Sequence, residues 1–260
     1  MKKIAFLSFY ILAVFYTTAQ NTTIQKKNGT EREAKTAHKV MLIPFEPKLY
    51  LSEIDHAINA ETGLSSKEIK RRFRDGLNEQ LYRAFKAIPY NVVDLMSDSL
   101  KYTKDLNGIY QHLTYQYQKV PNQEKYQAPK AEKQEKKIDK GQLAVETNSD
   151  QRFMNAKITD AKVVPTLYGK YNTDIFVFIN QLDIKASGTP NSYNINNGDS
   201  PRKIVVHYTV YTFDAKEINS GIVEEEFELD TNSPKKIIDK HFSNISITIC
   251  ERVKKALATK

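Results

Sequence analysis

The chain has 260 residues, a formal net charge of +8, one cysteine and no tryptophan. A single cysteine excludes an internal disulfide, so stability must come from a packed core. The positive charge is spread along the chain. Its densest run, Lys70-Arg71-Arg72-Phe73-Arg74, falls in a predicted helix, where such a run forms a solvated face and no nucleic-acid partner is expected.

The first residues have the form of a secretory signal. Lys2 and Lys3 give a positive start, Ile4 to Tyr16 is a 13-residue apolar run, and Thr17-Thr18-Ala19 places small residues before a cut between Ala19 and Gln20. That run is shorter than the roughly 17–25 residues of a membrane-spanning helix, and no later segment is apolar enough to span. The cysteine that lipid attachment would need after the cut is lacking, because the chain's cysteine is Cys250. The expectation is a periplasmic or secreted protein with neither a transmembrane segment after cleavage nor a lipid anchor.

Residues 20–37 are polar and read as a disordered tail. Val40-Met41-Leu42-Ile43, ending at Pro44, has the pattern of a strand buried on both faces. Ser52 with Asp55 suggests a cap for a short helix through Ile58. Ser65 and Glu68 form a capping box, behind which Ile69, Phe73, Leu77, Leu81 and Phe85 mark one face of a long helix. Tyr90 to Leu95 reads as a second buried strand. Leu106, Ile109, Tyr110, Leu113 and Tyr117 have helical spacing.

A charged stretch at about 119–149, with Pro121 and Pro129, reads as a flexible insertion. After it, Ile175 to Ile184 alternates with Phe176, Phe178, Leu182 and Ile184 on one face. Residues 187–201 have the composition of a loop. Lys203 to Phe213 is a β-branched and aromatic strand. Ile222 to Leu229 sets Val223, Phe227 and Leu229 against Glu224, Glu226 and Glu228. Ser233 caps a last helix with Pro234 in its first turn and a stripe of Ile238, Phe242, Ile245, Ile249 and Val253. The expected fold is α/β (α+β): a single domain over 38–258 with one mixed sheet and helices packed on it. Its order is strand-helix-strand-helix, the insertion, then three mainly antiparallel strands and a C-terminal helix.

Chemistry-bearing motifs are sparse. Gly-x-Ser-x-Gly is lacking, and Ser233-Pro234-Lys235-Lys236 has the spacing of a Ser-x-x-Lys nucleophile without its companion elements, so a helix cap explains it. The nine glycines are scattered, which leaves no phosphate cradle or dinucleotide fingerprint. His38, His56, His112, His207 and His241 lie far apart, and Glu53-x-x-His56 occurs once where a carboxylate-bridged site needs two copies. Cys250 reads as a small buried hydrophobe. No catalytic, metal or cofactor residue is expected. One segment stands out: Phe45-Glu46-Pro47-Lys48-Leu49-Tyr50-Leu51 leaves the first strand with two large rings near a proline. Phe45, Glu46, Pro47, Lys48 and Tyr50 are the candidates for a partner-binding loop, against simple packing of Phe45 and Tyr50 over the sheet edge.

A strand such as Lys39-Val-Met-Leu-Ile-Pro-Phe45, a long helix, a strand such as Tyr90-Asn-Val-Val-Asp-Leu95, hairpin strands and a final helix occur in this order. The order resembles the periplasmic domain shared by curli-secretion-channel proteins, penicillin-binding-protein activator lipoproteins and the N-terminal domain of the Tol-system propeller protein. The resemblance covers about residues 38–95 and 172–258 and rests on element order. It implies a non-enzymatic envelope protein that binds another envelope protein or self-associates. The alternative is a periplasmic binding protein for a small molecule or cell-wall fragment, using a cleft at the sheet edge. An enzyme of unrecognised type is the third.

Overall fold

The computed structural model describes residues 38–130, 138–139, 142–143, 151–186 and 201–258, all within the unit Ala37–Lys260. The signal-like segment with its Ala19–Gln20 cut, the polar tail, about half of the charged insertion and nearly all of the 187–201 loop lie outside the described residues. The first half contains β1 (Lys39–Ile43), a 3-10 turn (Pro47–Leu49), β2 (Tyr50–Ser52), α1 (Asp55–Thr62), α2 (Ser66–Lys86), β3 (Asn91–Asp94), α3 (Ser99–Gln111) and β4 (Leu113–Lys119). Next come the two-residue strands β5 (Ile138–Asp139) and β6 (Gln142–Leu143), then β7 (Arg152–Ile158), α4 (Val163–Tyr171), β8 (Ile175–Lys185), β9 (Arg202–Thr212) and β10 (Glu217–Phe227). The chain closes with α5 (Pro234–Lys236), a π-helical stretch Ile237–Phe242 and α6 (Ser243–Ala258), which follow without a break.

The main sheet has the order β10-β9-β8-β1-β3. β1 is parallel to both β3 and β8, while β8, β9 and β10 are antiparallel. It is the mixed α/β sheet that the pattern predicts. β1 pairs with Ile175–Phe178 of β8, and β2 pairs in parallel with Leu182–Ile184 further along the same strand. Residues 44–49 are therefore an excursion between two strands that share one neighbour.

One face of the sheet carries a continuous apolar core under α1, α2 and the C-terminal helix. It includes Val40, Leu42, Val177, Leu182, Val206, Val210, Phe73, Leu81, Phe85, Phe242 and Ile249. The stripe on α2 is fully buried, each such side chain contributing about 1.5–3 kcal/mol. The Ser65–Glu68 capping box is present in both directions. Gly76 on α2 faces Ile238, and a Cβ there would lie 2.6–2.8 Å from that side chain, so the glycine sets how closely the two helices approach. The π-helical stretch carries one extra residue through this crossing. It moves the buried position from the expected Ile238 to Ile237 and leaves Ile238 partly buried over Gly76.

The other face is divided. Beneath α3 and α4 it is apolar, with Met41, Ile43, Phe176, Phe178 and Tyr211. Beneath the separate antiparallel pair β4–β7 it is polar, with a small apolar cluster of Phe153, Val205 and Ile222 beyond. Three sequence expectations change here. Leu113 and Tyr117 belong to strand β4, because the helix stops at Gln111 and the chain pairs with β7. In β8 a bulge between Ile179 and Gln181 inverts the alternation. Phe176 and Phe178 consequently face away from α2, while Leu182 and Ile184 face it. Residues 120–126, expected in the flexible insertion, lie along β10: Gln123 Nε2 donates to the Ser220 carbonyl (2.8 Å) and the Tyr126 hydroxyl to Glu217 Oε1 (2.8 Å). Among the described residues no helix is long and apolar enough to cross a membrane.

Candidate functional site

The predicted docking loop is held down at its base. Phe45 is buried, and Tyr50, 7% exposed, packs its ring near Phe73 and donates its hydroxyl to Asp55 Oδ1 at 2.5 Å. Arg74 of α2 donates from Nε to the Phe45 carbonyl (2.9 Å) and from Nη2 to the Tyr110 hydroxyl (3.1 Å), and that hydroxyl donates to the Pro44 carbonyl (2.5 Å). Burial outweighs the nearby guanidinium and pushes the Tyr110 phenol up to about 12. Glu46 is half-buried and pairs with Lys48 at 2.7 Å. Burial, then the charge and hydrogen bond of Glu46, hold the Tyr115 phenol well above its ordinary value. Of the five candidates, Phe45 and Tyr50 are core residues, which corrects their reading as docking groups. Pro47 and Lys48 are exposed, with Leu51 beside them. The burial follows from β2: once Tyr50–Ser52 pairs with β8, the ring of Tyr50 must enter the face that α2 covers.

The side chains capable of chemistry are engaged structurally. Cys250 is buried, its thiol directed at the Ala84 carbonyl (3.5 Å), and burial pushes its pKa up to about 11. The Ser233 hydroxyl accepts from the Lys236 amide as a helix cap. His38 Nδ1 lies 2.5 Å from Asp174 Oδ2. His207 accepts from the Met154 amide at Nδ1 (2.8 Å) and has Nε2 3.3 Å from Asp183. Buried His241 lies against Glu225. Glu53 accepts the Ala186 amide, so it serves the chain junction after β8. Among the described residues no three metal-ligating side chains converge.

Two features went unread in the sequence. The first is a polar seam between β4–β7 and the main sheet. Asn155 donates to Gln118 Oε1 (2.7 Å) and accepts from the Thr209 hydroxyl (2.6 Å), and Asn180, at the bulge, donates to Thr209 Oγ1 (2.7 Å) and the Met154 carbonyl (2.8 Å). The seam ends at Glu217, which binds Lys157 at 2.7 Å and the Tyr126 hydroxyl. There it meets an open cleft of about 540 Å³ between residues 123–128, the start of β10 and the end of α6. Nothing local marks these residues, because the contacts join positions up to about a hundred apart in the chain.

The second feature is an aromatic pair on the surface. Tyr168 of α4 and Phe213 at the end of β9 lie with ring centroids 5.0 Å apart, yet Tyr168 is 39% and Phe213 47% exposed. Exposed rings are a recognisable signal only once tertiary structure brings them together.

The sequence matches no family model and no curated protein. Among solved structures the chain is similar to a lipoprotein of Neisseria meningitidis, at 12% identity and a TM-score of 0.35, over 82% of this chain and 99% of that one. It is also similar to a hypothetical protein of Chlamydia trachomatis, at 10% identity and a TM-score of 0.38, over 84% and 98%. Likeness at this level assigns neither activity nor partner.

Proposed function

We propose that this protein is exported and acts in the cell envelope by binding another envelope protein, without catalysing a reaction. The observation that carries the reading is the Tyr168–Phe213 pair. Two large rings from separate elements meet at the surface instead of in the core, and aromatic groups supply much of the energy at protein contacts. The signal-like segment supports export. The structural engagement of Cys250, Ser233 and His207 supports a role through contact.

The test is photocrosslinking in living cells, with a photoreactive residue in place of Tyr168 and, as a comparison, in place of Lys48. One reproducible envelope adduct from position 168, lost on Phe213→Ser, is the expected result. A chain that yields no adduct from position 168 in the envelope fraction would count against the reading. An adduct only from position 48 would move the contact to the loop after β1.

A further inference from the structure

We infer that the cleft between residues 123–128, β10 and α6 is a binding site for a small carboxylate-bearing saccharide. This site is independent of any protein contact at Tyr168 and Phe213. Its volume, about 540 Å³, lies within the range that holds small ligands.

The floor is fixed before any ligand arrives. Gln123 donates from Nε2 to the Ser220 carbonyl and accepts at Oε1 from Asn219 Nδ2 (3.2 Å). Asn219 Oδ1 in turn accepts from the Tyr208 hydroxyl (2.5 Å). This approach is possible because residue 221 is glycine: its φ is +147°, and a Cβ there would meet Gln123 Nε2 at 2.8 Å. Tyr126 forms a wall whose ring cannot swing, since its hydroxyl is engaged by Glu217 and lies 3.0 Å from Ser220 Oγ. A rigid wall and floor reduce the ordering cost of binding.

The charge of the cleft sets the ligand's sign. Lys125, Lys216, Arg252 and Lys255 line it against the carboxylates of Glu124, which is exposed, and Glu217, so the cations are in excess. Arg252 is oriented by Nη1, which donates to the Ile222 carbonyl (2.6 Å) and the Tyr208 hydroxyl (3.2 Å). Glu217 does not cancel these cations, because its side chain is only 7% exposed and its charge is met by Lys157. The ammonium groups of Lys125 and Lys216 have no carboxylate partner among the described residues. Amide groups and a fixed ring suit a hydroxylated body, and the cations suit a carboxylate attached to it.

The test is calorimetric titration of the purified chain with N-acetylmuramic acid, which carries the carboxylate, and with N-acetylglucosamine, which lacks it. The expected result is binding of the acid that weakens with salt, little binding of the neutral sugar, and a loss of roughly tenfold or more in the doubly reversed Lys125→Glu, Lys216→Glu variant. Lys254→Glu, outside the cleft on the same helix, should bind as the unmodified chain does. Equal affinity for both sugars would overturn the assignment of a carboxylate. Binding unchanged by the double reversal would overturn the location. Absence of binding by the acid at Kd values up to about 1 mM would overturn the site as a whole.

Discussion

The two faces of the main sheet are built on different terms. The face toward α2 and α6 is one apolar cluster in which contacts are interchangeable in kind. The part of the other face that lies under β4–β7 is held by named donor–acceptor pairs, such as Asn155–Thr209 and Asn180–Thr209. An apolar face loses stability in proportion to the volume removed. A polar seam loses it according to which partner is left unpaired. In the seam, Gln118 Nε2 and Asn180 Oδ1 are already without a hydrogen-bond partner among the described residues, so the two faces should also differ in how they respond to substitution.

The largest expected effect is on the apolar face. Phe73→Ala removes a ring packed against Phe242 and Tyr50 and should cost about 3–5 kcal/mol in chemical denaturation. A cost below about 1 kcal/mol would mean that this face is not the main support of the fold. In the seam, Asn155→Ala should cost about 1–3 kcal/mol by leaving the Thr209 hydroxyl and Gln118 short of partners. Combining it with Thr209→Val should cost less than the sum of the two single changes. Strict additivity in that cycle would erase the distinction between the faces.

A smaller effect is expected at the helix crossing on the apolar side. Gly76→Ala should destabilise by about 1 kcal/mol, the clash with Ile238 exceeding the gain in helix propensity. Ile238→Ala in the same chain should remove that penalty. Stabilisation by Gly76→Ala alone would show that Ile238 moves aside freely.

The last effect is confined to alkaline pH. The folded Tyr110 phenol titrates at about 12, above an unfolded value of about 10. Its contribution is therefore complete below about pH 10 and is lost as pH rises toward about 12, because the unfolded chain gives up its proton first. Tyr110→Phe should show a shallower loss of stability over that window. An unchanged slope would assign the alkaline limb to the other buried phenols, among them Tyr50, Tyr115 and Tyr126.

The apolar face was legible and the polar one was not, and the reason is physical. Helix α2 shows itself through a local period and a local cap, both within its own 21 residues. The strands β9 and β10 show themselves through composition and alternation. In contrast, β4 is a strand because β7 pairs with it from beyond the charged insertion. Its Leu113 and Tyr117, four apart, also fit a helix that runs on from α3. The cleft depends on Gln123 reaching Ser220 and on Tyr126 reaching Glu217, and no spacing in the sequence encodes such contacts. The loop after β1 was visible as unusual. Its rings were bound for the core, because the strands on either side of Pro44–Leu49 both pair with β8 and turn Tyr50 toward the face under α2.

The bulge at Asn180 also changes how this chain should be compared with others. In a strand, facing is written with a period of two, so one extra residue acts as a frameshift: everything after it is read on the opposite side. Before the bulge, odd-numbered residues such as Ile175 and Val177 face α2. After it, even-numbered residues such as Leu182 and Ile184 do. A chain with the same sheet but no bulge must carry the inverse polarity over residues 181–185. Aligned letter by letter, two such chains would diverge along this stretch while folding alike.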